Sequence, residues 1–167
     1  MVTDDRHFTR STLRERIVEH IFVGDVLRTL WRLGVTDVEI LRPEFDAHGY
    51  DVVMSRGTVV RHVQLKTQAA GKVSVGHALA EKPSGCVVWI GLNKETLELG
   101  PFIWFGGKPD APLPDISGYP NPKRATHNVE GVRPVRKNHH VLPPAAFTKL
   151  KTLDEVVARL FGELPIK

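Results

Sequence analysis

The chain has 167 residues, 41% of them hydrophobic and 25% charged, which suffices for one domain with a real core but not for two comfortable ones. No apolar run approaches the length that spans a bilayer, and the polar N-terminus lacks the apolar segment of a secretory signal, so we expect a cytoplasmic protein without a membrane partner. The single cysteine, Cys86, excludes an intrachain disulfide and a cysteine-based zinc cluster.

Positive charge is concentrated in one part of the chain. The net charge is +4, which is compatible with a polyanionic partner. Between residues 123 and 137 a single acid, Glu130, opposes five basic residues: Lys123, Arg124, Arg133, Arg136 and Lys137. Two interpretations stay open, a solvated loop and a surface that binds a nucleic-acid backbone.

The first predicted element is a helix over residues 12–33. Thr12 and Glu15 fit a capping box, in which hydroxyl and carboxylate satisfy free backbone donors of the first turn. Apolar residues then recur at helical spacing, and Gly34 is a natural stop.

The remaining elements follow from alternation and turn signals. A short helix is expected around residues 77–81 after a loop, and a second capping box, at Thr152 and Glu155, opens a C-terminal helix. The order predicts a single α/β domain around a mixed sheet. Its strands are predicted at residues 38–41, 51–54, 58–66, 86–92 and 102–105, with a proline-rich loop at 108–122.

Polar side chains mark the ends of two successive predicted strands. Asp51 opens one strand, and Gln64 and Lys66 close the next. Since strand side chains alternate, Gln64 and Lys66 point to one face, while Val63 and Leu65 point to the other, toward the core. An amide and an ammonium side by side, with a carboxylate nearby, do nothing for folding and indicate a functional site.

These residue types suit a metal-dependent nuclease, which holds Mg²⁺ or Mn²⁺ against a phosphate with oxygen ligands. Asp51 would be the central ligand, and the amide oxygen of Gln64 a second one. Lys66 would orient or help deprotonate the attacking water and offset charge on the phosphate. Glu19 falls on the apolar stripe of the first helix, where a buried carboxylate needs a partner, and the metal or Lys66 would provide it.

A helix glutamate, a strand aspartate and a Gln-x-Lys pair on the following strand together resemble the PD-(D/E)XK nuclease superfamily, in its variant with glutamine in place of the second acid. The resemblance covers residues 12–92 and implies the αβββαβ restriction-endonuclease-like core, within residues 12–106, followed by a basic loop and C-terminal helix over 107–167. By this resemblance, the catalytic motif consists of Asp51, Gln64 and Lys66, and Glu19 is the acid on the helix. Tyr50 stands where the family has proline, and Gln64 supplies an oxygen but no charge.

Further residues are candidates of the second rank. Asp46 and His48 lie in the loop before Asp51 and could join the site. His62 shares the strand face of the Gln-x-Lys pair and could contact a phosphate. The histidines at 127, 139 and 140 lack helical metal-ligand spacing, and we expect them at the surface or facing phosphate.

Each motif residue also has a purely structural interpretation. Asp51 could cap a loop. Gln64 and Lys66 could form the solvent face of an edge strand. Glu19 could pair with Arg16 on its own helix, or a small rotation of the helix could expose it.

The sequence therefore predicts Mg²⁺-dependent hydrolysis of nucleic acid, with a DNA endonuclease as the first choice, through a metal-activated water. The basic segment would supply sequence-independent affinity for the backbone, and a homodimer is one option for cutting both strands. The alternative, which Gln64 favours, is a catalytically inactive protein of this fold that binds nucleic acid or a protein partner. A third interpretation, an oligomeric scaffold, would use Phe102, Trp89 and Trp104 as an interface, although their strand positions favour the core.

Overall fold

The structure is a computed structural model, and it describes residues 10–45, 48–67 and 71–165. Three helices, eight strands and one 3₁₀ turn follow one another along the described chain. Their bounds are Ser11–Arg32 (α1), Val38–Leu41 (β1), Val52–Arg56 (β2), Val59–Lys66 (β3), Val73–Gly76 (β4), His77–Ala80 (α2), Gly85–Leu92 (β5), Leu99–Gly106 (β6), His139–Leu142 (β7), Pro144–Ala146 (3₁₀), Thr148–Leu150 (β8) and Leu153–Phe161 (α3).

Six strands form one mixed sheet in the order β1-β2-β3-β5-β6-β8. The first three make an antiparallel meander, and β5 lies parallel to β3. A parallel pair needs a crossover, which the chain makes through β4 and α2. β6 and β8 extend the sheet in antiparallel fashion, and β4 pairs with β7 in a separate two-stranded sheet. The described chain is thus a single α/β domain, which confirms the predicted class.

Each face of the central sheet packs against a layer of its own. On one face Val63 of β3 and Val88 of β5 pack with Val26 of α1 and Leu160 of α3. On the other face the alternate residues of β5 pack with the β4–β7 sheet and α2. Strand β5 therefore contributes to a packed layer on both of its faces, while β3 beside it contributes Val63 to the layer that contains α1.

The aromatic residues of the central strands belong to the core. Trp89, Trp104 and Phe102 are at most 6% exposed. The scaffold interpretation, in which these three side chains form an interface, is therefore wrong. Cys86 is fully buried, and burial raises the pKa of its thiol to about 12, so it packs as a small hydrophobe.

Helix α1 begins earlier than the sequence predicts. Its N-cap is Arg10, which makes no side-chain cap, so the predicted capping box of Thr12 and Glu15 is wrong. An N-cap residue needs non-helical backbone angles, and Thr12 already lies within the first turn. Gly34 follows the helix with φ of 76°, as predicted for a helix stop. No helix in the described part of the chain is long and apolar enough to cross a membrane.

The second predicted capping box is confirmed in part. The hydroxyl of Thr152 accepts a hydrogen bond of 3.3 Å from the backbone N–H of Glu155. The carboxylate of Glu155 reaches one residue further back than the motif predicts, to the N–H of Lys151 at 2.7 Å. Both bonds satisfy donors that the start of α3 would otherwise leave free.

Arg61 of β3 is fully buried and ties α3 to the sheet. Its guanidinium lies over the ring of Trp104, 5.3 Å from the centroid. Burial lowers the pKa of Arg61 from its ordinary value, but a guanidinium stays charged in proteins. It donates hydrogen bonds of 2.7–3.0 Å to the carbonyls of Arg159, Leu160 and Gly107 and to the hydroxyl of Ser84.

Candidate functional site

Asp51 is fixed to β3 at the point where β2 begins. Its backbone N–H donates to the carbonyl of Val63 at 2.9 Å, and its carboxylate accepts the N–H of Leu65 at 2.7 Å. Gly49, with φ of 71°, turns the chain two residues earlier. The aspartate thus lies beside the end of the strand that carries the Gln-x-Lys pair, because the hairpin register brings the start of β2 to that end.

Gln64 and Lys66 lie on the face of β3 that is turned away from α1. They are opposite Val87 and Trp89 of β5, which belong to the core under the β4–β7 sheet. Val63 is fully buried on the α1 side, as the alternation predicts. Neither residue of the pair is on an edge strand, because β3 is flanked by β2 and β5. The edge-strand interpretation of the pair is therefore wrong.

Glu19 is buried on α1 and is held by two arginines. It is 5% exposed, and its Oε2 accepts a hydrogen bond of 2.9 Å from Arg16. Its Oε1 lies 3.3 Å from Nη1 of Arg42, close enough for an ion pair but without hydrogen-bond alignment. The structural interpretation, pairing with Arg16, is confirmed. It leaves one carboxylate oxygen without an aligned donor within the described residues.

A first cavity, the motif cleft, brings three of the predicted catalytic residues together. It has a volume of about 480 Å³ and is lined by Glu19 of α1, Asp51 before β2 and Lys66 of β3. Arg14 and Arg42 also line it, and sequence reasoning did not single them out. Glu19 reaches the cleft from α1 and Lys66 from the end of β3.

Gln64 does not line the motif cleft. It lines a second cavity of about 710 Å³, the basic cavity, which lies on the other face of β3. Lys66 is part of the wall of both cavities. Arg136 and Lys137, from the basic segment, line the basic cavity together with Gln64. The structure thus connects the predicted motif with the end of the basic segment, and Lys66 stands between them.

The other basic residues lie further out. Residues 122–136 form an irregular hairpin, in which the N–H of Arg124 donates to the carbonyl of Pro134 at 2.8 Å. Lys123 forms an isolated bridge with Val135. Lys123, Arg124 and Arg133 are exposed on this hairpin and line neither cavity. Their part in binding nucleic acid stays a prediction.

The candidates of the second rank are placed around Tyr50. His62 is half-buried, and its ring packs edge-on against Tyr50 with centroids 4.9 Å apart. Burial, with a smaller contribution from Lys82, lowers the pKa of His62, so its ring is neutral at pH 7. His62 lines neither the motif cleft nor the basic cavity. His48 is exposed and stacks on Tyr50 at 6.2 Å. Asp46 lies outside the described residues.

Two histidines, the half-buried His77 and the buried His140, form a pair that sequence reasoning missed. Nε2 of His77 lies 2.8 Å from Nε2 of His140, and Nδ1 of His140 lies 2.5 Å from the carbonyl of Tyr119. A carbonyl only accepts, so Nδ1 of His140 carries a proton, and one of the two facing Nε2 atoms donates to the other. His140 is 7% exposed, so the prediction that it lies at the surface is wrong. The partners are 63 residues apart, and no local signal joins them.

His139, the residue before His140 in the chain, faces the basic cavity. Its Nε2 accepts a hydrogen bond of 2.8 Å from Arg136. Burial lowers its pKa, and so do the charges of Arg136 and Lys66. The ring is therefore a neutral acceptor that positions the Arg136 guanidinium.

The donors in the motif cleft fit a magnesium ion that shares its coordination with water and substrate. Mg²⁺ usually takes one or two carboxylates and completes its shell with water and phosphate oxygens. Four acids line the cleft, the exposed Glu15 and Glu44 and the two motif acids, Glu19 and Asp51. Among residues 10–45, 48–67 and 71–165 no group of three or more His, Cys, Asp or Glu is arranged to hold a metal ion. The protein therefore offers too few charged ligands to enclose the ion alone.

Comparison with known proteins adds nothing to this site. No protein-family model, no curated protein and no solved structure matches the chain. The function is therefore inferred from the residues of the two cavities.

Proposed function

We propose that the protein is a metal-dependent phosphodiesterase that hydrolyses nucleic acid, with DNA as the first choice of substrate. The observation that carries the proposal is the convergence of Glu19, Asp51 and Lys66 on one cleft. Glu19 is buried and Asp51 and Lys66 are half-buried, and their two carboxylates and one ammonium line the same cleft at the end of β3. They are the groups that phosphoryl hydrolysis needs.

The element order supports the resemblance to PD-(D/E)XK nucleases. Helix α1, the meander β1-β2-β3, helix α2 and strand β5 follow one another, and β5 is parallel to β3. This is the αβββαβ order that the resemblance implies, with β4 inserted before α2. The motif residues stand on the elements that the resemblance assigns to them: Glu19 on α1, Asp51 beside β2, and Gln64 and Lys66 on β3.

Glu19 and Asp51 would hold the cation, whereas Gln64 lines the basic cavity and stays outside this ligand set. A divalent cation bound there polarises the phosphate and makes a neighbouring water more acidic. Asp51 keeps its position because the Leu65 N–H holds its carboxylate. Arg16 and Arg42 do the same for Glu19, and they disperse its charge when no substrate is present.

Lys66 acts on the substrate itself. Its ammonium lies in the wall of the motif cleft and can donate hydrogen bonds to a phosphate oxygen and to the attacking water. Both contacts strengthen as negative charge builds on the phosphate, which is the condition for a contribution to rate. Arg14 and Arg42 also line the cleft and are within reach for contacts to the substrate backbone.

Cleavage of labelled single-stranded and double-stranded DNA, with Mg²⁺ or Mn²⁺ and with a chelator, tests the proposal. We expect the metal to be required and Asp51→Ala and Lys66→Ala each to abolish cleavage. Lys149→Ala is the matched control, because Lys149 is exposed on β8 at the far edge of the sheet. If both motif variants cut as well as the parent, the assigned site is wrong.

One observation favours a second candidate, a catalytically inactive member of the same fold that binds nucleic acid or a protein partner. The second acid of the motif is Gln64, which supplies no charge, and Glu19 is already paired with two arginines. This candidate predicts DNA retention that Asp51→Ala leaves unchanged, and no cleavage with any divalent metal.

A further inference from the structure

The basic cavity carries positive charge in excess. Lys66, Arg136 and Lys137 line it, and Glu81 is the one carboxylate among the residues that line it. Arg136 is held in position by its hydrogen bond to His139. A concave surface with this balance attracts an anion and concentrates it locally.

The same cavity is lined by two side chains whose buried oxygens have no hydrogen-bond partner in the described structure, Oε1 of Gln64 and Oγ of Ser74. Buried polar atoms are nearly always paired in folded proteins, so each can take a further partner, which water can supply in the free protein and a ligand in the complex. An amide oxygen only accepts, so Gln64 needs an N–H or O–H donor. The serine hydroxyl can act in either direction.

These two requirements identify the class of ligand. We propose that the basic cavity binds one nucleotide, its phosphate held by Arg136 and Lys137 and its base by Gln64 and Ser74. A phosphate dianion alone would satisfy the cations but offers Gln64 no donor. A base with an exocyclic amine supplies that donor.

The size of the cavity agrees with a ligand of this class. Its volume of about 710 Å³ falls within the range of roughly 300–1,000 Å³ that is typical of small-molecule sites. The wall is formed by β3, β4, α2 and the residues that lead into β7, so three elements and a loop fix its shape.

Lys66 connects this site with the motif cleft. Since it lines both cavities, a nucleotide in the basic cavity would have its neighbouring phosphate within reach of Lys66 and Asp51. The basic cavity would then select the nucleotide that flanks the scissile bond. This connection rests on the proposed function, whereas the binding of a free nucleotide does not.

Calorimetric titration without metal tests the inference with three probes: dAMP, deoxyadenosine and inorganic phosphate. We expect dAMP to bind more tightly than either fragment. Lys137→Ala should weaken dAMP binding about tenfold, the value of one charge-assisted contact. Arg136→Ala should do the same, while Lys149→Ala should leave it unchanged. Ser74→Ala should weaken dAMP but not inorganic phosphate.

Further outcomes separate this inference from the proposed function. Asp51→Asn should keep dAMP binding, since Asp51 lines only the motif cleft. Nucleotide binding by a parent protein that cleaves no DNA would retain the inference and reject the nuclease. A parent that cleaves DNA but binds no dAMP at millimolar concentration would overturn the inference alone. Equal affinities for inorganic phosphate and dAMP would also overturn it, because the base would then contribute nothing.

Discussion

The carboxylate of Asp51 accepts a hydrogen bond of 2.7 Å from the backbone N–H of Leu65, the residue between Gln64 and Lys66. The bond replaces a ladder contact at the point where β2 and β3 separate, since the regular register begins at Val52 and Val63. One side chain therefore both ends the hairpin and presents a carboxylate beside Lys66. The loop-capping interpretation of Asp51 and the catalytic one describe the same arrangement and do not compete.

Substitutions of Asp51 separate these two roles. Asp51→Asn keeps an oxygen that can accept the Leu65 N–H, so it should fold normally and lose metal-dependent cleavage because the charge is gone. Asp51→Ala should also lower the free energy of unfolding, by about 1–3 kcal/mol, because a backbone donor loses its charged acceptor. Urea unfolding and DNA cleavage measured on both variants check this. Cleavage by Asp51→Asn at the parental rate would contradict the catalytic role.

Glu19→Gln tests the helix acid. The change removes the charge that Arg16 and Arg42 share, and the free energy of unfolding should fall by about 1–2 kcal/mol, since both arginines can still reach water. Metal-dependent cleavage should fall as well. Asp25→Asn is the matched control, because Asp25 pairs with Arg28 at the same spacing on the exposed side of α1. Asp25→Asn should lower the free energy of unfolding by less than about 0.5 kcal/mol and leave cleavage unchanged. If the Glu19→Gln variant is destabilised but cleaves DNA at the parental rate, Glu19 has a structural role and no catalytic one.

Arg61→Met should be among the most destabilising single changes in the chain. It leaves three carbonyls and a hydroxyl without their donor, at a cost of about 3–5 kcal/mol. Arg61→Lys should recover only part of this, because an ammonium has three donors and does not stack on Trp104 as a guanidinium does. Urea unfolding of both variants measures the loss.

The control for Arg61 is Arg56→Met on the neighbouring strand. Arg56 pairs at 2.9 Å with Asp37, whose side chain is 62% exposed, and it should contribute at most about 1 kcal/mol. Equal losses for the two variants would show that the buried network around Arg61 adds nothing beyond an ordinary surface pair.

His62 should make the protein less stable in mild acid. Burial, followed by the charge of Lys82, lowers the pKa of His62 below the ordinary value of 6.5, so the folded state binds its proton less readily than the unfolded chain. The contribution to stability is complete above about pH 6.5 and is lost as the pH falls through the folded pKa. Urea midpoints at about pH 7.5 and about pH 5.0 should differ less for His62→Gln than for the parent. An unchanged difference would mean that His62 titrates normally.

Local patterns were sufficient for the elements that carry the motif. Helix α1 and strand β3 are long and strongly periodic, so their existence, and the buried position of Glu19, could be predicted from the spacing of apolar residues. Strands β4, β7 and β8 have only three or four residues each, and β4 pairs with residues some 70 positions away, Val73 with Leu142. Pairing over that distance leaves no local trace.

The motif cleft could be predicted from the sequence in part, and the basic cavity could not. Asp51, Gln64 and Lys66 are neighbours in a hairpin, so strand alternation alone places them near one another. Arg136 and Lys137 reach Gln64 only because β7 pairs with β4 above the sheet. One signal was available in the sequence: Val73-Ser74-Val75 alternates between apolar and polar residues, which predicts a strand with Ser74 turned away from the core. In the structure both valines are fully buried.

Calorimetric titration of the parent protein and Asp51→Asn with Mg²⁺ and Mn²⁺, in the presence of an uncleavable DNA analogue, tests the central claim most directly. The analogue matters because the protein donors alone are too few to enclose the ion. The proposed function predicts binding at millimolar metal by the parent, loss of that binding in Asp51→Asn, and full retention in Asp115→Asn, since Asp115 lines neither cavity. No metal binding by the parent, or equal binding by all three proteins, would contradict a metal-dependent nuclease at this site.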